Sequence, residues 1–325
     1  MVGFRRLVLL LAAVGISVLS AGEAAMPKKL AYIVSDIRIP FWEIMARGIQ
    51  NEARQLGYSV EVYSADNSPK RELEALAEVI GEGVEGIIVS PTTSSACATV
   101  LKLAEGAGIP VVIADIGSDG GRYVSYIASD NRDGAYRIGK ILAERMKALG
   151  YASGRVGIVA IPQKRLNGQE RTAGFMAAME EAGIRSAGIR QQADFSEEET
   201  YRLSLELIDA NDDLRALWLQ GSNRYHGALR AIEERGKKGE ILLLTFDAEP
   251  EFLELIPEGV IVAAAMQQPF LMGEASVRAM DRHLRGEAVV HHIKMRVLAV
   301  SAHNISEKLP LIRRNVLGMV RAADE

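Results

Sequence analysis

The sequence predicts an α/β protein built from two doubly wound lobes, and three observations carry that prediction. Short apolar runs alternate with amphipathic helical stretches along almost the whole chain, the pattern of parallel strands covered by helices on both faces. About 300 residues of this pattern exceed what one such sheet ordinarily uses. No Pro/Ser-rich linker or low-complexity stretch cuts the chain in half. Two sheets are therefore expected, with the chain crossing between them at several tight points.

The elements follow in order. Strands are expected at Leu30–Val34, Ser59–Tyr63, Gly86–Val89, Val111–Ala114, Val156–Ala160, Ala216–Leu219, Ile241–Phe246 and Ile261–Met266. Ile241-Leu242-Leu243-Leu244 is the clearest buried run. Between them, helical periodicity predicts Trp42–Leu56, Arg71–Glu82, Ala96–Ala107, Ala135–Leu149, Gln169–Ala182, Glu197–Asp209, Tyr225–Arg235 and Leu271–Arg285. Gly57, Gly108, Gly150, Gly183, Gly236 and Gly286 stand where left-handed caps would end helices. Ser196 and Glu199 have capping-box spacing. Candidate crossings are Ile127-Ala128-Ser129-Asp130-Asn131 and Gln267-Gln268-Pro269. The apolar stretch Leu309–Val320 is read as padding on the second lobe.

Residues 1–25 read as a secretory leader: Arg5 and Arg6, then an apolar run Leu7–Leu19 too short to span a bilayer comfortably, then small residues up to Ala25. No cysteine follows the run, which excludes lipoprotein anchoring. The 325 residues are 48% apolar and 25% charged, which excludes a disordered chain and a multi-span membrane protein. A net charge of −4 argues against a nucleic-acid partner. Cys97 is alone, so it forms no internal disulfide, and it reads as a buried helix residue. The five histidines lack metal-ligand spacing, and His291-His292 reads as a loop pair. No metal or cofactor is implied.

In open parallel sheets, ligands bind beyond the carboxyl ends of the strands. The residues just after those ends are Ser35, Asp36, Arg38, Pro40, Phe41 and Trp42, then Asp115, then Gln220, Asp247 and Gln267. Carboxylates, amides and aromatics converging there suit a neutral polyhydroxy ligand. Carboxylates accept from adjacent hydroxyls, amides donate and accept, and aromatic faces cover the C–H side of a ring. Each residue also has a plainer role open to it. Asp36, Asp115 and Asp247 could be turn formers, Phe41-Trp42 core packing, Arg171 a solvated charge, and Phe195 a staple before the Ser196 cap. Val34-Ser35-Asp36-Ile37-Arg38 has no glycine, against dinucleotide binding. The phosphate-cradling loop, the Gly-x-Ser-x-Gly elbow and His-Glu-x-x-His are all absent from the sequence, against an enzyme.

Seven stretches, in this order, resemble the periplasmic solute-binding proteins of ABC sugar importers, ribose-binding type. They are Ala31-Tyr32-Ile33-Val34-Ser35 with Pro40-Phe41-Trp42; Tyr126 to Asn131; Glu170-Arg171 with Gly174-Phe175; Ala193-Asp194-Phe195; Gly227-Ala228-Leu229-Arg230; Phe246-Asp247; and Ala265-Met266-Gln267. The likeness covers about residues 28–300. It implies two Rossmann-like lobes joined by three crossings and closing over a ligand. The first lobe would hold 28–129 and 268–293, the second 130–267 and 294–325. Position by position, it implies Phe41 and Trp42 as ring-stacking groups, Asp115, Arg171, Asp247 and Gln267 as hydroxyl readers, and Phe195 as an aromatic from the second lobe. Asp36 and Asn223 are candidates for further contacts, with Arg38 and Arg224 beside them.

Three hydroxyl-reading positions depart from the ribose type: Ile39, Ile116 and Gly221. An unpaired buried polar group costs about 1–3 kcal/mol, and micromolar binding is worth only about 8 kcal/mol. Tight ribopyranose binding is therefore not expected. Three aspartates against Arg171 and Arg38 make the pocket neutral to negative, which favours a neutral sugar, deoxy sugar or polyol over a sugar acid or phosphate. The resemblance implies a periplasmic monomer that delivers its ligand to an inner-membrane ABC permease. The same pocket would serve a sensory binding protein presenting a ligand to a receptor or sensor kinase. Aromatics with carboxylates would also cage a cation.

Overall fold

The computed structural model describes residues 28–319. The expected leader, 1–25, lies outside the described residues, as do 320–325. The chain opens with β1 (Lys28–Val34), α1 (Pro40–Gln55), β2 (Tyr58–Ser64), α2 (Pro69–Glu82), β3 (Gly86–Ser90), α3 (Ser94–Gly106), β4 (Val111–Ala114) and β5 (Ser125–Ser129). It continues with α4 (Asn131–Ala148), β6 (Arg155–Ala160), α5 (Leu166–Glu181), β7 (Arg185–Gln191), α6 (Glu197–Asp209), β8 (Leu214–Leu219), α7 (Tyr225–Glu234), β9 (Leu242–Phe246), α8 (Phe252–Leu255) and β10 (Ala263–Met266). It ends with α9 (Pro269–Leu284), β11 (His292–Met295), β12 (Leu298–Ser301), α10 (Ile305–Leu311) and a π-helical turn, Ile312–Val316.

Two six-stranded sheets result, ordered β11-β5-β4-β3-β1-β2 and β12-β10-β9-β8-β6-β7. Neighbours run parallel except β12, which is antiparallel to β10. The chain passes between sheets at Asp130, at Gln267-Gln268 and at Arg296-Val297. Alternation along each strand feeds both faces of its sheet. Leu30, Tyr32 and Val34 pack with Met45 and Ile49 of α1, while Ala31 and Ile33 pack on the opposite face with Leu76 and Leu101. In the second lobe Ile158, Trp218 and Phe246 face Phe175, and Leu217, Leu243 and Met266 face Phe252.

The covering helices approach closely where glycine allows it. A Cβ on Gly48 of α1 would lie 2.2 Å from Phe270 O of α9, and one on Gly174 of α5 would lie 2.1 Å from Arg132 O of α4. All six glycines expected to cap helices have left-handed backbone. Cys97 is fully buried in α3, and burial pushes its thiol up to about 12. No helix among the described residues is long and apolar enough to cross a membrane.

The structure differs from the sequence reading at the edges. β7 was not expected: Arg185, Arg190 and Gln191 interrupt any apolar run because this edge strand is half exposed. β10 begins two residues after Ile261. The two histidines are not a loop pair: His292 opens β11 and stacks on Tyr126 at 4.8 Å, and His291 stacks on Tyr123 at 4.4 Å. The C-terminal segment does more than pad one lobe. Ile312, Val316 and Leu317 join the second-lobe core with Phe252 and Leu298. The same segment also grips the first lobe. Arg314 Nη2 pairs with both oxygens of the buried Glu274 on α9, at 2.9 and 3.0 Å. Arg47 of α1 donates to the carbonyls of Leu317 and Gly318 at 3.2 and 3.1 Å. Asn315 Nδ2 donates to Gln268 Oε1 at a crossing, 2.8 Å away.

Candidate functional site

The carboxyl ends of both sheets open onto one cleft between the lobes. Ile39, Phe41, Trp42 and Asp115 line it from the first lobe; Arg171, Phe195, Gln220, Gly221, Asn223 and Asp247 line it from the second; Gln267 lines it from a crossing. Of the nine residues singled out as ligand candidates, eight border this space. Asp36 does not. Its carboxylate is held by Arg38 at 2.8 and 2.7 Å and by Asn67 Nδ2 at 2.8 Å, so it braces the turn after β1 instead of facing the cleft. Despite its burial, the Arg38 guanidinium and N–H, with the Arg224 charge, hold its carboxyl below the usual range.

Backbone geometry is unusual here. Asp115, Asp247 and Phe195 all have left-handed φ, at 69°, 68° and 59°, a conformation costing roughly 1–2 kcal/mol for a residue with a side chain. Surrounding bonds hold each one. The Asp115 N–H donates to Ile127 O and the Asp247 N–H to Ala265 O, each at 2.9 Å, so both aspartates turn off their strands in the same way. Phe195 is set by Glu199, whose carboxylate accepts from the N–H groups of Ala193, Asp194 and Phe195 at 2.7, 3.1 and 2.9 Å. Ser196 caps α6 as its spacing implied, but Glu199 serves the strained turn before the cap. Arg224 donates to Phe195 O at 2.7 Å and to Asn223 O at 2.8 Å, fixing both.

Arg171 is almost fully buried over the Phe246 ring, 3.9 Å from its centroid. It donates to Asn131 Oδ1 at 2.8 Å and Gln220 O at 2.7 Å, and lies 3.8 Å from Asp247 Oδ2. Gln267 Nε2 donates to Asp247 Oδ1 at 2.6 Å. Burial raises the Asp247 carboxyl above its usual range, and Arg171 and Gln267 pull it only partly back. Asp115 has a single side-chain partner, Asn167 Nδ2 at 3.4 Å, and burial pushes its carboxyl up to about 6. Among the described residues seven buried side-chain polar atoms have no hydrogen-bond partner, and four of them belong to residues that line the cleft: Asp115 Oδ1, Gln267 Oε1, Asn223 Nδ2 and Trp42 Nε1. Buried polar groups are nearly always paired, so four on one cleft mark where a ligand's polar groups belong.

The sequence reading missed Arg165 and Asn167, which also line the cleft. Arg165 lies on the second lobe and reaches into the first. Its Nε donates to Thr92 O at 3.1 Å and its Nη2 to Asn67 Oδ1 at 3.3 Å. Its guanidinium stands 5.8 Å from the Trp42 ring and 5.3 Å from the Phe195 ring, within cation–π range of aromatics from both lobes. Desolvation pulls it down to about 10. Following the chain five residues beyond β6, past Ile161-Pro162, would have found it. With Arg165, the cleft holds two arginines against Asp115 and Asp247, and its charge is balanced rather than negative. Of the three departures, Ile39 and Gly221 line the cleft, whereas Ile116 is buried in the first-lobe core.

Comparison with known proteins agrees with this geometry. Residues 30–288 match the periplasmic binding protein domain family. The ribose import binding protein of Escherichia coli K12 is 30% identical over 285 residues, covering 88% of this chain and 94% of that one. A carbohydrate transporter solute-binding protein from Agrobacterium radiobacter, solved with D-arabinose, superposes with a TM-score of 0.82 at 21% identity, covering 90% and 100% of the two chains. A periplasmic solute-binding protein from Actinobacillus succinogenes 130z with bound D-allose gives 0.79 at 22% identity, covering 86% and 99%.

Proposed function

Because the chain belongs to the periplasmic binding protein family, we propose that it is the substrate-binding component of an ABC importer, capturing a small neutral sugar, deoxy sugar or polyol between its lobes. The observation that carries this is the set of four unpartnered polar atoms between aromatic walls in a charge-balanced cleft. Asp115 and Gln267 accept from ligand hydroxyls, while Asn223 and Trp42 donate. Phe41, Trp42 and Phe195 cover the apolar ring faces. The cleft serves recognition, not turnover.

Closure follows from Arg165. Its bonds to Thr92 and Asn67 exist only with the lobes together, as do the Leu166 N–H to Ser94 Oγ contact at 3.3 Å and the Asn167–Asp115 contact. The ligand tips this equilibrium by bonding to both lobes at once. The closed outer faces are what a membrane permease would read. The protein acts in the periplasm, reached through the leader at 1–25. A cationic ligand is disfavoured, since the Arg165 guanidinium already occupies the space between Trp42 and Phe195.

A thermal-shift screen against neutral sugars, polyols, sugar acids and quaternary amines tests this. Ligand at about 1,000 times its Kd adds about 4 kcal/mol, a rise of several degrees in a protein this size. Shifts are expected from neutral compounds; shifts confined to acids or amines would sink the assignment.

A further inference from the structure

The C-terminal segment is fastened on two sides. Ile312 and Val316, one helical turn apart, pack in the second-lobe core with Phe252 and Leu298. Arg314 and Asn315, between them, face the other way. Arg314 Nη2 reaches both oxygens of Glu274 on α9, a carboxylate whose side chain is only 3% exposed. Asn315 Nδ2 donates to Gln268 Oε1 at 2.8 Å, and Gln268 Nε2 donates to Arg296 O at 2.7 Å, so the segment is knitted to two of the three crossings. Arg47 of α1 donates to the Leu317 and Gly318 carbonyls beyond them. We propose that residues 312–318 form a fourth, noncovalent connection between the lobes: a strap that resists opening of the hinge and holds the protein near its closed form before any ligand arrives, whatever the cleft takes.

Both anchorages are firm. On the first lobe, α1 and α9 meet at Gly48 and Gly273, where a Cβ on either would run into the other helix's backbone. Asn51 of α1 also donates to Glu274 Oε1 at 3.3 Å. The two helices therefore move as one body, and the strap holds both. On the second lobe, Lys308 and Asn304 donate to Ala299 O at 3.0 and 3.3 Å, tying the start of the segment to β12. The backbone is shaped for the contact. Pro310 has no N–H to continue the α-helical ladder, and the turn after it is π-helical, with the Leu317 N–H donating to Ile312 O at 2.9 Å. Gly318 then takes a left-handed φ of 62°. A Cβ there would lie 3.1 Å from both Arg47 Nη2 and Phe270 Cδ2, so glycine lets the chain lie flat on the first lobe. The strap runs on the cleft side of the crossings, since Val316 borders the hinge end of the cleft with Ile44 and Pro269. Parting the lobes pulls its two anchorages apart, and its bonds count toward the closed form.

Double electron–electron resonance on the ligand-free mature chain tests this. Spin labels go on Lys70→Cys and Glu197→Cys, exposed positions in the first turns of α2 and α6, one on each lobe. Cys97 is buried and stays unlabelled. Arg314→Met cuts the strap from its own side and Arg47→Met from the first lobe, and both side chains are about half exposed. Each variant should lower the ratio of closed to open separations about tenfold, the worth of one or two hydrogen bonds. Arg313→Met removes the same charge from an exposed neighbour and should reproduce the parent distribution. If Arg314→Met fails to fold, Arg47→Met carries the test, because it leaves every residue of the tail in place. An unchanged distribution in either folded variant, or an equal shift from Arg313→Met, would overturn the strap.

Discussion

The two lobes are built on one plan, and each carries an aspartate at the same place in it. Asp115 follows β4 and Asp247 follows β9, strands that hold the same position in their sheets, and both aspartates have nearly the same left-handed φ. Their surroundings differ. Asp247 has Gln267 at 2.6 Å and the Arg171 guanidinium 3.8 Å away. Asp115 has one long bond to Asn167 and an orphaned oxygen. Equivalent backbone positions thus produce a carboxylate satisfied within its own lobe and one left waiting. The waiting one has its best protein partner on the opposite lobe, so its needs are met only by closure and ligand.

The sharpest break in this comparison is to remove each carboxylate. Asp115→Ala and Asp247→Ala should each weaken binding of the cognate sugar hundredfold or more, since each loses charge-assisted bonds to hydroxyls. Calorimetry would settle it; retention of affinity in either variant would show that carboxylate to be structural.

Stability should separate the pair. The folded-state carboxyl of Asp115 is pushed up to about 6 and that of Glu249 to about 7, both above their unfolded values near 4. Folding therefore favours their protonated forms, and that contribution is present below pH 4 and lost as pH rises through 6 and 7. The unliganded protein should melt higher at pH 5 than at pH 8. Asp115→Asn should recover at pH 8 up to about 3 kcal/mol, the equivalent of roughly two pH units. Asp247→Asn should give a smaller gain: burial raises its carboxyl too, but losing the charge leaves the buried Arg171 without its carboxylate. Identical melting shifts in the two variants would erase the distinction.

Arg165→Met keeps much of the packing against Trp42 and Phe195 but removes the bonds to Thr92 and Asn67. A drop of about tenfold in affinity is expected, with a larger radius of gyration by small-angle scattering for the sugar-free chain. An unchanged radius would mean that Arg165 does not hold the lobes together. At the small end, Arg38→Ala removes an exposed side chain that pairs with the buried Asp36 outside the cleft; affinity should stay within about 0.5 kcal/mol of the parent while stability falls by about 1 kcal/mol.

What was readable in the sequence follows from these same forces. Buried parallel strands announced themselves as apolar runs, so β3, β4, β8 and β9 were plain. Edge strands β7 and β11, half in water, carry arginine, histidine and lysine and left no run to find. Strand-end position was a good guide to which residues reach the cleft and a poor guide to direction. Asp36 stands at a strand end as Asp115 does, yet Arg38, two residues on, captures it. Arg165 escaped because its position depends on a loop path and on acceptors in the other lobe, neither of which is written near it in the chain. The role of the C-terminal segment was likewise split between two lobes that lie far apart in sequence.

The chain contains two tryptophans, and their placement gives the protein an optical signal with a built-in reference. Trp218 is sealed in the second-lobe core and stacked on Phe175 at 4.1 Å, so its emission should stay constant as the lobes move. Trp42 stands at the cleft with its indole N–H unpaired and a guanidinium above its ring. Its emission should change whenever a sugar arrives or the lobes part. With Trp218→Phe to remove the constant background, the unlabelled protein becomes its own stopped-flow reporter of capture and release.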